Sequence, residues 1–467
     1  ARAHRLHLRA EAAGAGAVRL VSRRALRRAL ALLAFLAGWL VLTAAPASAH
    51  VEIISSTPGD GTRLTVAPDR VSVTLSENIG IQPGSLKVVD TQGTEADSGP
   101  VFQPGDAAEQ VAVRLRPGLP DGSYLVEYAF VSADSHPVRG TFAFVVGSGP
   151  LITSAGAVAA ATGTDPAVDV LSTTFRWLSY VGVVLLGGLV FVRTCRPDSG
   201  TDPRTRRLLS WGAGLTAVTA VAALVLQGPY AAGRGLGAVF DTGLLSDTLR
   251  VAYGKLLLLR LAAVAVLAVL LPRLLAPALP ERLRARYENG AMVTGFLVLL
   301  SFSATGHPVT DPIMFVSVGA DLVHYGAIAV WAGGLVQLAF ALRRPAAGED
   351  LGPVVTRFSR LAGSAVFAVA VSGAVLVLRI MPSLSTLWTT GFGLILLLKI
   401  AGFAALLAVA RVSRRAVQRG ITVRSSGSTA TVTADLRRLR LAVGTEVVLS
   451  VLVLGLAAVL TVTSPGG

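Results

Sequence analysis

The 467-residue chain has a single cysteine, Cys195, and three methionines, none of them between residues 50 and 150. One cysteine excludes an intrachain disulfide and any CxxC metal site. The second absence removes soft thioether metal ligands from that stretch. Charge is scarce too: 15% of residues are charged and 52% are hydrophobic, against roughly a quarter charged in soluble globular proteins. No GxxxxGK[ST] run occurs, so nothing supports an ATP-driven machine. Low charge with several apolar runs of about 20 residues points to a polytopic membrane protein. The net charge of +15 does not indicate a nucleic-acid partner, because the arginines lie between the apolar runs, where they set topology.

Four segments follow from the pattern. Residues 1–49 have the form of an export signal, with a basic region from Arg19 to Arg28, an apolar run from Ala29 to Leu42, and the small-residue motif Ala47-Ser48-Ala49. Residues 50–148 alternate with period two in short segments such as Val71–Leu75, Val111–Leu115 and Phe142–Val146, separated by turns such as Pro58-Gly59-Asp60-Gly61. That pattern predicts a small antiparallel β-sandwich. Residues 149–168, rich in Gly, Ala, Ser and Thr, form a linker. Residues 169–467 form an all-α membrane domain of eight spans, at about 170–192, 208–232, 254–272, 288–304, 314–341, 358–380, 391–411 and 441–462. The loops after spans one, three, five and seven hold twenty-one arginines, and the opposite side holds only Arg234, Arg250, Lys255 and Arg379. The positive-inside rule therefore places the sandwich outside and the arginine-rich loops in the cytoplasm. Gly187-Gly188-Leu189-Val190 of span one recurs as Gly333-Gly334-Leu335-Val336 of span five, a trace of two four-span halves.

Cleavage after Ala49 would leave only four histidines, His50, His136, His307 and His324. It would also make His50 the N-terminus, with two nitrogen donors, its α-amine and its imidazole. Asp134 and His136 stand two apart between two predicted strands, so an extended backbone puts both on one face. An amine, two imidazoles and a carboxylate suit Cu(II) in a tetragonal set or Zn(II) in a tetrahedral one. The amine, with a reference pKa of about 7.7–8.0, must lose its proton to bind, so affinity should fall in acid.

These residues carry a resemblance. His50, Ser56-Thr57-Pro58, Leu75-Ser76-Glu77, Pro120-Asp121-Gly122-Ser123-Tyr124 and Ser132-Ala133-Asp134-Ser135-His136-Pro137 leading to Gly140-Thr141-Phe142 resemble the CopC copper-binding domain. The resemblance implies an immunoglobulin-like Greek-key β-sandwich holding one Cu(II) ion through His50, Asp134 and His136, with Glu77 beside the site. The methionine-free domain resembles the Cu(II)-only type. The membrane half resembles CopD. The match rests on Thr305-Gly306-His307, on Asp321-Leu322-Val323-His324-Tyr325 followed by Trp331-Ala332-Gly333-Gly334, and on Arg357-Phe358-Ser359, Lys399 and Glu446.

His307 falls at the outer end of span four. His324 lies about 16 Å into span five at 1.5 Å per residue, near the middle of a core about 30 Å thick. Asp321 shares its face one turn earlier. Ionisable side chains at such depth mark pathways, so His307, Asp321 and His324 are the candidate membrane copper path. Lys399 and Glu446 are candidates for a charge pair or for separate anchors.

The resemblance implies copper homeostasis without enzymatic activity. The sandwich captures Cu(II) outside the cytoplasmic membrane and the spans import it, with further copper within the membrane domain. A reductase or a copper chaperone is the partner that such a handover calls for, beside the membrane lipid. Two other readings remain open at this point. An N-terminal histidine with a second histidine also makes the copper brace of oxidative enzymes, and His307 with His324 could ligate haem in an electron-transfer protein.

Overall fold

The computed structural model describes residues 53–75, 79–80, 85–105, 109–132, 137–151, 165–276, 280–305, 313–343, 349–381, 383, 385–423 and 429–461. Among them are nine strands: β1 (Ile53–Thr57), β2 (Arg63–Leu64), β3 (Arg70–Leu75), β4 (Ile79–Gly80), β5 (Leu86–Asp90), β6 (Asp97–Phe102), β7 (Gln110–Leu115), β8 (Gly122–Ser132) and β9 (Pro137–Val146). One sheet has the order β1-β3-β7-β6; the other runs β2-β9-β8-β4, with β5 also on β8. Every pairing is antiparallel except β2 with β9.

Side chains alternate across a strand, and that alternation builds the core. Val71, Val73 and Leu75 from β3 and Val111, Val113 and Leu115 from β7 meet Leu86, Val88, Val126, Phe130, Phe142 and Phe144 of the other sheet in one buried cluster. A one-residue slip of β7 would turn Arg114 inward, so burial fixes the register. The Tyr124 hydroxyl donates to the Pro120 carbonyl at 2.8 Å and so pins the entrance of β8. Burial pushes its phenol up, which keeps it a donor. Gly140 pairs with Tyr128, and a Cβ there would run into the Tyr128 ring.

The segments predicted from alternation, among them Val71–Leu75, Val111–Leu115 and Phe142–Val146, lie in β3, β5, β7, β8 and β9, and β1 and β6 add to them. β6 contains Gly99 at φ +81° and Pro100, both turn-like in sequence. It is tolerated because it is an edge strand whose register shifts between Ser98 and Phe102.

Eight long helices follow among the described residues: α1 (Pro166–Thr194), α2 (Pro203–Ala232), α3 (Ala252–Leu274), α4 (Glu281–Ser303), α5 (Met314–Arg343), α6 (Gly352–Ile380), α7 (Gly391–Val423) and α8 (Thr429–Leu460). Each contains or closely brackets one of the eight expected runs. Seven are long and apolar enough to cross a membrane. The exception is α4, whose first turns carry Glu281, Arg282, Arg284, Arg286 and Glu288. Its apolar part, Ala291–Ser303, is about 20 Å long at 1.5 Å per residue.

Local signals explain the helix ends. Asp165 caps α1 by accepting from the amides of Ala167 and Val168, with Pro166 at the first helical position. Asp202 and Pro203 do the same for α2, and Gly233 at φ +66° closes it. At the arginine-rich end, side chains tie the helices together. Arg196 grips Glu349 with Nε and Nη2 at 2.7 and 2.6 Å, Arg206 donates to the Leu275 carbonyl at 2.9 Å, Arg440 to that of Leu342 at 2.8 Å, and Arg193 pairs with Glu288.

The two Gly-Gly-Leu-Val copies pack against each other where α1 crosses α5. A Cβ on Gly333 would meet the Val184 carbonyl and the Gly188 amide, and one on Gly187 would meet the Ala329 carbonyl. Small residues at such a crossing let two backbones touch, which is how helices associate in lipid. Gly319, on the same helix as Gly333, has nothing within 4 Å of its Cβ position. Opposite signs follow for one kind of substitution. Gly333→Ala should destabilise by about 1–3 kcal/mol through overpacking, whereas Gly319→Ala should stabilise by up to about 1 kcal/mol through helix propensity. Thermal melting of the full-length protein in detergent separates the two outcomes.

Candidate functional site

His50, Glu77, Asp134, His136 and His307 lie outside the described residues. The described backbone nevertheless places the chain that leads to four of them. Ile53 pairs with Leu75, so the start of β1 lies beside the end of β3. Leu75 leads through residues 76–78 to β4, where Ile79 pairs with Ser132 at the tip of β8. Val131 pairs with Pro137, so β8 and β9 form a hairpin closed by residues 133–136. The strand ends next to residues 50, 77 and 133–136 are therefore linked by direct pairing at one end of the sandwich.

In the helices, Asp321 and His324 line a cavity of about 700 Å³. It is walled by the N-terminal halves of α1, α3, α5 and α7 and the C-terminal parts of α2, α4, α6 and α8. It thus occupies the end of the bundle opposite the arginine-rich loops. α5 puts Asp321 and His324 on one face because they are three residues apart. Lys399 of α7 lines the same cavity within electrostatic reach of Asp321. Glu446 is buried on α8 and is not part of the lining.

α6 holds His324 through Ser372 and the Val369 backbone. Its Nδ1 lies 3.0 Å from Ser372 Oγ, and that hydroxyl donates its single proton to the Ala368 carbonyl at 2.6 Å. With that proton on the backbone, Ser372 accepts from a proton on His324 Nδ1, the tautomer in which Nε2 keeps its lone pair. A ring nitrogen fixed this way is prepared to accept a proton or a metal ion at the other nitrogen. Gly373 makes room for the ring, since a Cβ there would stand 3.1 Å from His324 Cε1.

The cavity also holds residues that the sequence reading passed over. Arg176 of α1 and Arg260 of α3 line it, with Tyr180, Tyr230, Tyr253 and Tyr325. Arg260 is 6% exposed. It donates from Nε to Ser301 Oγ at 3.0 Å and from Nη2 to the Ser301 carbonyl at 2.8 Å, and its guanidinium carbon lies 3.4 Å from the centre of the Phe302 ring. Arg176 Nη1 donates to Thr461 Oγ1 at 3.3 Å. The signal was available in the sequence, because both arginines interrupt apolar runs; neither entered the topology count. Among the described residues, no three His, Cys, Asp or Glu side chains gather as a metal-binding group.

Comparison with known proteins gives a consistent family assignment. Residues 53–147 match the CopC domain, residues 167–312 the copper resistance protein D-like N-terminal domain, and residues 352–460 copper resistance protein D. The copper transport protein CutJ of Bacillus subtilis (strain 168) is 27% identical over 368 residues, which are 77% of this chain and 66% of that protein. The chain thus spans just under two thirds of CutJ's length. Copper resistance protein C of Pseudomonas syringae pv. tomato is 35% identical over 118 residues, covering 24% of this chain and 90% of that protein. The crystal structure of CopC from Methylosinus trichosporium OB3b aligns with 21% of this chain and 93% of its own, at 22% identity and a TM-score of 0.20.

The His324 tautomer is testable. In nitrogen-15 histidine spectra of the full-length protein, the signal that disappears in His324→Gln should be that of an Nδ1–H tautomer. Gly373→Ala should shift it by displacing the ring from Ser372. An Nε2–H signal in the wild type would contradict the assignment.

Proposed function

The chain belongs to the CopC family through residues 53–147, with copper resistance protein D sequence following, and from that premise we propose that it serves copper homeostasis by capturing Cu(II) outside the cell and importing it through its helices. One Cu(II) ion is held by the His50 amine and imidazole, the Asp134 carboxylate and the His136 imidazole, with Glu77 beside them. This donor set of nitrogen and oxygen suits Cu(II), in a domain without methionine between residues 50 and 150.

The observation that carries the reading is the pairing chain Ile53–Leu75, Ile79–Ser132 and Val131–Pro137. His50 precedes Ile53 by three residues, Glu77 precedes Ile79 by two, and Asp134 follows Ser132 by two. At no more than about 3.3–3.6 Å per residue, all of them stay within a short reach of the same end of the sandwich. The strand orders support a Greek-key arrangement.

For the membrane half, the charge asymmetry supports eight spans in the cytoplasmic membrane with the sandwich on the extracytoplasmic side. The N-terminus of α1, which follows the sandwich in the chain, belongs to the end of the bundle that holds the cavity. Copper released outside would meet His307 and then Asp321 and His324, whose free Nε2 and carboxylate are hard-to-borderline donors. Names of the matched proteins are those of copper transport and resistance proteins, which favours transport over oxidative catalysis.

Isotope-resolved copper uptake tests the reading in cells carrying the wild type, His50→Ala or His324→Ala. Both variants should take up less copper, and unchanged uptake in both would overturn import. Adding one residue before His50 blocks the amine as a ligand and should lower the Cu(II) affinity of the full-length protein by orders of magnitude. Titration against a competing chelator reads that change directly.

A further inference from the structure

The charges of the membrane cavity do not match a bare metal cation. Its described lining contains three cations, Arg176, Arg260 and Lys399, against the single carboxylate of Asp321. The ion pairs among the described residues are Lys87–Glu95, Arg193–Glu288, Arg196–Asp202, Arg196–Glu349, Arg234–Asp241 and Arg250–Asp247. None of them involves Arg176, Arg260 or Lys399. The two guanidinium groups lie within electrostatic reach of each other and share Tyr180, Tyr253 and Tyr325 as neighbours. Two like charges on the wall of one cavity, without a carboxylate between them, are an unfavourable arrangement unless an anion completes it.

Geometry adds the rest. A guanidinium carries five N–H donors in a planar fork that matches carboxylate and phosphate oxygens. Arg260 directs Nε and Nη2 to Ser301, which leaves Nη1 for the cavity. The space in front of it, about 700 Å³, falls in the range of small-molecule sites and far exceeds the need of one ion. Beyond the arginines the walls turn apolar, with Trp331, Phe392 and Phe403 among them.

We propose that this cavity is a binding site for an amphiphilic oxyanion, whose phosphate or carboxylate head sits between Arg176 and Arg260 and whose apolar part lies toward Trp331 and Phe403. The proposal is independent of copper capture by the sandwich. It bears on passage through the membrane, because a seated oxyanion would offset the positive field around His324 Nε2 and Asp321. The same head chemistry comes from a soluble organic anion or from an acidic phospholipid, and the test separates the two.

The test uses the full-length protein without copper, so its failure leaves the copper reading untouched. Purified protein in non-ionic detergent is melted with octyl phosphate, with inorganic phosphate, and with octyltrimethylammonium as the cationic control. A second arm compares nanodiscs of phosphatidylglycerol with nanodiscs of phosphatidylcholine. Octyl phosphate should raise the melting temperature by several degrees and the cation should not. A rise with phosphatidylglycerol alone supports the site and names lipid as the source. The rise should be lost in Arg260→Met and in Arg176→Met and be retained in part in Arg260→Lys. Arg176→Met decides the matter if Arg260→Met does not fold. No rise with any anion in either arm, or an equal rise in the methionine variants, would overturn the site.

Discussion

A charge inside a membrane bundle has no water to fall back on, so its partner has to come from the protein or from something the protein binds. The helical half of this chain solves that problem differently at its two ends. At the arginine-rich end each guanidinium that reaches inward finds oxygen: Arg196 finds Glu349, Arg193 finds Glu288, and Arg206 and Arg440 find the carbonyls at the ends of α3 and α5. Those contacts brace the helix ends. At the other end Arg176 and Arg260 find hydroxyls, one carbonyl and aromatic faces, and a cavity lies open between them. One end is closed by its own charges; the other is the site proposed for an oxyanion.

The sandwich depends on a different constraint, the two-residue period of its strands. Because burial fixes β3, β7 and β8 in one register, the chain next to residues 50, 77 and 133–136 has little freedom in where it emerges. Gly140 under the Tyr128 ring and the Tyr124 hydroxyl on Pro120 hold the long β8–β9 hairpin whose turn carries the Asp-x-His sequence. The strands that flank the proposed ligands in sequence are thus positioned by core packing.

What could be read from the sequence follows from how local each signal is. Apolar runs of membrane length are self-contained, so the helices lie where composition puts them. The exception is α4, where an apolar stretch too short to cross by itself continues from a charged start. Strands β3 and β7 announce themselves by alternation. β1 does not, because Ile53-Ile54-Ser55-Ser56-Thr57 lacks the period, and β6 hides behind Gly99 and Pro100; both are edge strands, where one face and one ladder side are relieved of the usual demands. For the site, Asp321 and His324 were legible as polar groups in a span. Ser372, Gly373 and Arg260 contribute through contacts between distant helices, and no local pattern encodes such a contact.

The tautomer of His324 joins these threads. Its Nδ1 meets a serine that spends its own proton on the backbone, and in that tautomer Nε2 keeps its lone pair. With Arg176 and Arg260 unmatched by a carboxylate, that lone pair sits in a field that repels cations. With an oxyanion seated between the arginines, the same nitrogen, three residues from a carboxylate, becomes a place where a metal ion can pause. A cavity built this way would admit copper only in company with an anion. Selectivity would then come from pairing two ligands of opposite charge rather than from a cage of metal donors, which the described helices do not contain.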